Sequence, residues 1–225
     1  MYRDDYIMRM IRRFGQVIAY IAGLRQEGRY PLALLATDEA LRNALGVGSE
    51  ALAQRSEREI LALIRFADRE GSWRELAAYV AAIFHAEAAI YEAQGDQQFV
   101  APRALLALQL LLEAELAPDT GTVLLPFAPP RAHLLELLQG YALPVRTSAA
   151  LFQLYEREGA YARAEDTLFT MLADAPEDGS LRDAGVAFYR RLLALDDDAL
   201  AAGGLSRAEV QAALSELAGS AGTHL

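Results

Sequence analysis

Apolar residues recur along most of the chain at the spacing of an α-helix. In the first segment they lie three or four positions apart, at Ile7, Met10, Ile11, Phe14, Ile18 and Ile21. Such spacing places them on one face of a helix. It predicts a first helix from about Asp5 to Gln26. Strand-like alternation is absent outside Thr122–Leu125, so the sequence predicts an all-α protein of antiparallel helix pairs.

The same periodicity, with local start and stop signals, predicts nine further helices. They cover about 31–45, 56–71, 73–94, 102–117, 131–141, 148–158, 161–175, 180–195 and a last segment from Ser206. Two of them open on a capping box, in which a serine hydroxyl and a glutamate carboxylate each satisfy a backbone N–H. These boxes pair Ser56 with Glu59 and Ser206 with Glu209.

A proline-rich stretch suggests how the chain is divided. Four prolines lie between positions 118 and 130, where no continuous helix can run. We therefore expect an N-terminal helical half over 1–117, a loop over 118–130, a C-terminal half over 131–218 and a frayed tail over 219–225. The loop either separates two domains or packs across one continuous solenoid, and we expect the solenoid.

One segment has the spacing of a helical repeat. It reads Leu151-x3-Tyr155-x3-Gly159-x-Tyr161-x2-Ala164-x3-Leu168-x7-Pro176, and it resembles a tetratricopeptide repeat. The resemblance implies two helices, a turn at the glycine and a close approach at the small alanine. A second match contains Gly28, Tyr30 and Ala33, and a weaker third contains Tyr91 and Gly95. The fold expected from these matches is a degenerate, right-handed, tetratricopeptide-like solenoid.

The opening residues resemble a second group of proteins. Met1-Tyr2-Arg3-Asp4-Asp5-Tyr6-Ile7-Met8-Arg9-Met10-Ile11 is similar to the start of an uncharacterised family of bacterial tetratricopeptide-like proteins. Membership implies the same helical fold over most of the chain. It implies no activity and supplies no site residue.

Charge and composition narrow the classes of function. The net charge is −10, and all 21 basic residues are arginine. The first fifty residues carry seven arginines and six acidic residues, so the negative charge lies in the remainder. An acidic surface repels phosphate backbones, so we expect no nucleic-acid partner. The absence of cysteine, of a signal-peptide pattern and of a long uncharged apolar stretch favours a cytoplasmic protein without a membrane span.

No motif in the sequence carries recognisable chemistry, so we expect no catalytic residue, no cofactor and no metal site. His133 has Glu136 three positions later, which makes a weak pair of ligands, and His85 is expected to lie beside the core with a satisfied nitrogen. The run Asp196-Asp197-Asp198 is interpreted as a solvated turn that caps the next helix.

Three arginines are the candidate partner-binding residues. Arg9, Arg12 and Arg13 lie on one side of the first predicted helix. They either form an ordinary polar face or bind an acidic peptide, an anionic membrane or the acidic part of a second copy. The function expected is a non-catalytic module that binds a protein or peptide. The alternatives are a self-associating structural protein, which would be a homo-oligomer, and an enzyme without a known motif.

Overall fold

A computed structural model describes residues 2–68, 71–118 and 127–219, with side chains described from Met8 onward. These residues form twelve α-helices and no strand. The helices are α1 (Tyr2–Gln26), α2 (Tyr30–Leu45), α3 (Ser49–Ala53), α4 (Glu57–Ala67), α5 (Trp73–Gln94), α6 (Gln97–Leu116), α7 (Arg131–Leu137), α8 (Val145–Arg157), α9 (Tyr161–Asp174), α10 (Gly179–Leu193), α11 (Asp197–Ala202) and α12 (Arg207–Gly219).

Local signals set most of the helix ends. Ser56 and Glu59 form the predicted capping box at the start of α4, with Ser56 N donating to Glu59 Oε2 at 2.9 Å. The second box, at α12, has Ser206 N donating to Glu209 Oε2 at 2.7 Å. Gly95 ends α5 with φ of +82°, in the left-handed region that glycine adopts without strain.

Three predicted helices differ from the structure by four or more residues at one end. The helix expected at 102–117 begins five residues earlier, at Gln97, so Pro102 lies inside α6 rather than at its start. The additional turn is held by packing, because Val100 and Ala101 are each only 4% exposed. The helix expected over 56–71 ends at Ala67, and the one expected over 131–141 ends at Leu137. The short helices α3 and α11 were not predicted, since five or six residues carry little periodicity.

The chain divides into two compact units, residues 1–142 and 143–225. In the first unit α5 and α6 form the central pair, and α1, α2 and α4 pack against α5. The α5 helix is buried on most of its circumference and is rich in alanine, including Ala77, Ala78, Ala81 and Ala82. Small side chains allow neighbouring helices to approach closely. This central pair supplies the interior of the first unit.

The second unit is built from shorter helices. The α8 and α9 helices pack against each other, as do α10 and α12. Its core contains Phe152, Phe188 and Tyr189. The ring centroid of Phe188 lies 5.1 Å from that of Phe152 and 5.1 Å from that of Tyr189. Each of these helices buries a narrow apolar stripe and exposes the rest, as the sequence pattern requires.

The division between the units lies at a different place from the predicted loop. The α7 helix packs against α6 and belongs to the first unit. The predicted 118–130 loop falls largely on residues 119–126, which lie outside the described residues, as do residues 220–225 of the predicted tail. Among the described residues, no helix is both long and apolar enough to cross a membrane.

Candidate functional site

Among the described residues, the apolar stripe of the first helix is buried to different depths. Of the predicted stripe, Ile21 is 1% exposed, and Leu24 beyond it is 4% exposed. Met10 and Phe14, nearer the N-terminus, are only partly buried. The described part of the helix is therefore buried most deeply near its C-terminus, whereas Met10 and Phe14 border open space.

That open space is a cleft of about 470 Å³ within the first unit. Its α1 wall comes from Arg9, Met10, Arg13 and Phe14. Arg9 and Arg13 are four residues apart, as are Met10 and Phe14, so each pair lies on one side of the helix. We call this space the α1 cleft. Its volume lies in the range of ligand-binding pockets, roughly 300–1,000 Å³.

Three other helices complete the α1 cleft. The end of α2 contributes Asn43 and Ala44, the end of α4 contributes Ala67 with the following Asp68, and the start of α5 contributes Leu76 with the preceding Ser72. Asp68, after α4, is tied to Ser72, before α5, because Asp68 Oδ1 accepts hydrogen bonds from Ser72 N at 2.8 Å and Ser72 Oγ at 3.2 Å. The cleft is thus lined by both apolar and polar side chains.

An aromatic cluster supports the inner end of the cleft. Phe14 stacks on Tyr79 at a centroid distance of 3.7 Å, and the ring of Phe127 meets both edge-on at 5.9 and 6.3 Å. A smaller cavity of about 100 Å³, lined by Phe14, Tyr79, Val17 and Ala40 among others, adjoins this cluster. Burial raises the pKa of Tyr79 to about 12, so its hydroxyl stays protonated and cannot serve as a base near neutral pH.

Two of the three predicted partner-binding arginines line the cleft. Arg9, Arg12 and Arg13 are all exposed. Arg9 and Arg13 stand at the cleft, and Arg12 does not line it. Within the part of the chain that the structure describes, no ion pair involves these guanidinium groups.

The first unit also encloses an ion pair that the sequence analysis did not foresee. Glu87 of α5 is 1% exposed, and its Oε2 accepts hydrogen bonds from Arg103 Nε of α6 and Ser49 Oγ of α3, both at 2.7 Å. The Arg103 guanidinium also lies 5.9 Å from the ring centroid of Tyr91. This arrangement joins α3, α5 and α6 through buried, hydrogen-bonded charges, so we assign it to stability.

The two internal histidines meet each other. His85 Nε2 and His133 Nδ1 are 2.9 Å apart, and the rings are nearly perpendicular. Burial, together with the nearby His133 and Arg25, lowers the pKa of His85 to about 4. His85 lies beside the core with a hydrogen-bonded nitrogen, as expected, and its partner is His133.

The separation of the two nitrogens is that of a hydrogen bond. In such a bond one nitrogen carries the proton, and the lone pair of the other nitrogen accepts it. No group of three or more histidine, aspartate or glutamate side chains suited to a metal occurs among the described residues. The pair therefore serves as a contact between α5 and α7.

The structure places the predicted repeat-packing residues in turns and at buried or partly buried helix positions. Gly28 and Gly159 adopt φ of +72° and +73° in the turns after α1 and α8. Ala33 and Ala164 are fully buried, Tyr155 is 7% exposed, and Tyr30 and Tyr161 are partly buried. The run at 196–198 acts as predicted, because Asp196 Oδ1 accepts from Ala199 N at 2.8 Å and caps α11.

A further contact near Gly159 was missed. Gly203, at the end of α11, accepts a hydrogen bond from Ala162 N at 2.9 Å, and a Cβ atom there would lie 2.7 Å from the carbonyl oxygen of Gly159. The α11 helix therefore closes over the turn between α8 and α9. A double glycine at 203 and 204 was the only local sign in the sequence.

The fold and the cleft define an all-α protein with an amphipathic surface cavity. In a comparison with protein families, the family described as "Family of unknown function (DUF6483)" matches residues 1–222, and the chain belongs to this family. This agrees with the resemblance of the opening residues to an uncharacterised family. No curated protein and no solved structure matches the chain.

Proposed function

We propose that the protein is a non-catalytic binding module and that the α1 cleft holds a segment of a protein partner. The observation that carries the proposal is the incomplete cover of α1, whose apolar stripe opens into a cavity of about 470 Å³. An apolar surface that the described residues cover only in part gains free energy when a partner removes it from water.

The surroundings of the α1 cleft support binding rather than catalysis. Its walls present Met10, Phe14 and Leu76 as apolar contacts. Asp68 is already engaged by Ser72. Tyr79 stays protonated, because burial raises its pKa. A catalytic site needs converging acid, base or nucleophile groups, whereas contact with a partner needs an apolar centre and a polar margin.

An exposed aromatic residue beside the cleft adds to this support. Phe66 is 89% exposed and directly precedes Ala67, which lines the cleft. Met8, on α1 next to Arg9, is 56% exposed. Large apolar side chains at the margin of a cavity extend the area that a partner would cover.

A blocking substitution tests the proposal. Ala44 lines both cavities, so Ala44→Trp would fill the cleft. The matched control, Ala62→Trp, places the same side chain at an exposed position of α4 that does not line the cleft. Tagged wild type and both variants would be used to capture partners from lysate, after circular dichroism has established that all three fold.

We expect the wild type and Ala62→Trp to retain the same specific partner and Ala44→Trp to lose it. Retention of that partner by Ala44→Trp would contradict the assignment of the cleft. If the capture recovers no protein other than the chain itself, sedimentation would then show whether the chain forms a dimer. A dimer that Ala44→Trp dissociates would replace the proposal with self-association through the same cleft.

We propose in addition that α8 and α9 form a tetratricopeptide-like pair. The support is the turn at Gly159, the fully buried Ala164 and Leu168, and the packing of the two helices on each other. A small residue at the helix crossing allows close approach. Replacement of Ala164 by leucine should separate the helices and expose their amides to hydrogen exchange.

A further inference from the structure

The α1 cleft combines apolar side chains with positive charge along one helix. Met10 and Phe14 line the cleft, and Val17, three residues further on, lines the smaller cavity; the three span about 10 Å of helix axis. Arg9 and Arg13 precede the first two of these positions. Successive turns of a helix set such side chains about 6 Å apart.

We propose that the occupant of the α1 cleft is an acidic amphipathic helix, with two carboxylates one turn apart beside an apolar stripe. This inference rests on the proposed function and adds the chemistry of the partner. The carboxylates would pair with Arg9 and Arg13, and the apolar stripe would cover Met10 and Phe14.

Charge complementarity supports the acidic character of this partner. Arg9 and Arg13 are exposed, and no ion pair holds either of them within the described part of the chain. The planar guanidinium group matches a carboxylate with two parallel hydrogen bonds. Such pairs at the margin of an interface favour partners of opposite charge and raise the association rate.

Backbone hydrogen bonding supports a helical partner over an extended one. The cleft is walled by α1, α2, α4 and α5, whose interior backbone groups already bond within their own helices. An extended segment would find few backbone partners there and would bury unsatisfied N–H and C=O groups. A helix satisfies its own backbone and can interlock its side chains with those of α1.

A peptide series tests this inference. The probe is a labelled peptide with an alanine-rich helical frame, two glutamates one turn apart and a leucine stripe. Its comparison peptides replace the glutamates with glutamine or insert a central proline. Binding to the full chain would be followed by fluorescence anisotropy at low and high salt, beside vesicles of anionic phospholipid.

We expect the acidic peptide to bind about three- to tenfold more tightly than the glutamine peptide at low salt, and the difference to shrink as salt is added. The proline peptide should bind more weakly than either. In the double variant Arg9→Gln and Arg13→Gln the preference for the acidic peptide should disappear. The control Arg29→Gln and Arg58→Gln removes two exposed charges that do not line the cleft, and should keep the preference.

The outcomes separate this inference from the proposed function. Equal binding of the acidic and glutamine peptides, both lost in Ala44→Trp, would overturn the acidic partner and leave the cleft as a binding site. The inference of an acidic helical partner would be overturned if the acidic peptide does not bind. It would also be overturned if the protein binds the vesicles and the Arg9→Gln and Arg13→Gln double variant does not. Loss of the captured partner in Ala44→Trp, tested separately, decides the proposed function itself.

Discussion

The first unit buries the ion pair between Glu87 and Arg103, whereas the ion pair between Arg191 and Glu156 in the second unit lies nearer the surface. In the first, the side chains of Glu87 and Arg103 are 1% and 10% exposed. In the second, Arg191 donates to both carboxylate oxygens of Glu156, at 2.6 and 2.8 Å, yet its side chain is 54% exposed. Similar bond lengths therefore occur in very different surroundings.

The difference follows from helix length and packing. The α5 and α6 helices run for 22 and 20 residues and bury most of their surface, so a charge between them leaves water. The helices of the second unit are shorter and amphipathic, so their charges stay on the solvated face. A hydrogen-bond length alone does not give an ion pair's contribution to stability, because desolvation decides it.

The largest effect should come from breaking the buried pair. Arg103→Met leaves the Glu87 carboxylate without its cation in the interior, and we expect the first unit to lose about 3–5 kcal/mol. Urea unfolding, with hydrogen exchange resolved by unit, would measure this loss. The double variant Glu87→Leu and Arg103→Met should recover much of the lost unfolding free energy, because no charge is then left buried. A loss below about 1 kcal/mol in Arg103→Met would contradict the distinction between the buried and the exposed ion pair.

A steric change should affect the second unit by an intermediate amount. In Gly203→Ala the new Cβ would press on the Tyr161 ring and on the Gly159 carbonyl oxygen, which as backbone cannot easily move. We expect a loss of about 1–3 kcal/mol, by analogy with overpacked cores. The control Gly23→Ala lies inside α1 with nothing within 4 Å of the added atom, and should be neutral or stabilising by up to about 1 kcal/mol. Equal melting temperatures for the two variants would contradict the close approach of α11.

Acid should weaken the first unit through its histidine pair. The pKa of His85 is lowered from 6.5 to about 4 by burial, His133 and Arg25. The unfolded chain therefore binds more protons between these values, and stability should fall as the pH falls from about 6.5 towards 4. Allowing for the partial exposure of the ring, we expect about 1–2 kcal/mol.

Comparison of wild type with His85→Gln isolates this effect from other titrating groups. The variant should lose the corresponding part of the pH dependence, measured as the difference in unfolding free energy between neutral and mildly acidic buffer. If the unfolding free energies of the two proteins fall in parallel as the pH is lowered, His85 is not the source of the pH dependence.

The smallest effect should come from the exposed pair of the second unit. Arg191→Ala removes the contact with Glu156, and we expect a loss of at most about 1 kcal/mol, reduced further by salt. Chemical denaturation in low and high salt would measure it. A loss as large as that of Arg103→Met would show that exposure does not separate the two ion pairs.

Local sequence signals predicted much of the fold. The two capping boxes, the left-handed turns at Gly28, Gly95 and Gly159, and most helices depend on residues within a few positions of one another. Such interactions can be recognised along the chain. The start of α6 differs from the predicted one, because a proline usually marks a helix start, whereas packing against α5 holds one more turn before Pro102.

The candidate site could be predicted only in part. Arg9 and Arg13 were recognised as an exposed basic group, and the cleft beside them was not. The periodicity of α1 predicted an apolar stripe, but the extent to which other helices cover that stripe depends on where α2, α4 and α5 end. Those positions result from packing among elements that are distant in sequence.

The sequence by itself determined the helical class, the polar and apolar faces of each helix, the capped ends and the excess of negative charge, because these depend on residue type and short-range spacing. The packing of distant helices decided, among the described residues, that Glu87 meets Arg103, that His85 meets His133 across 48 residues, and that Met10 and Phe14 stay only partly buried. These contacts join different helices, and the relative placement of helices is set by packing of the whole unit rather than by any local pattern.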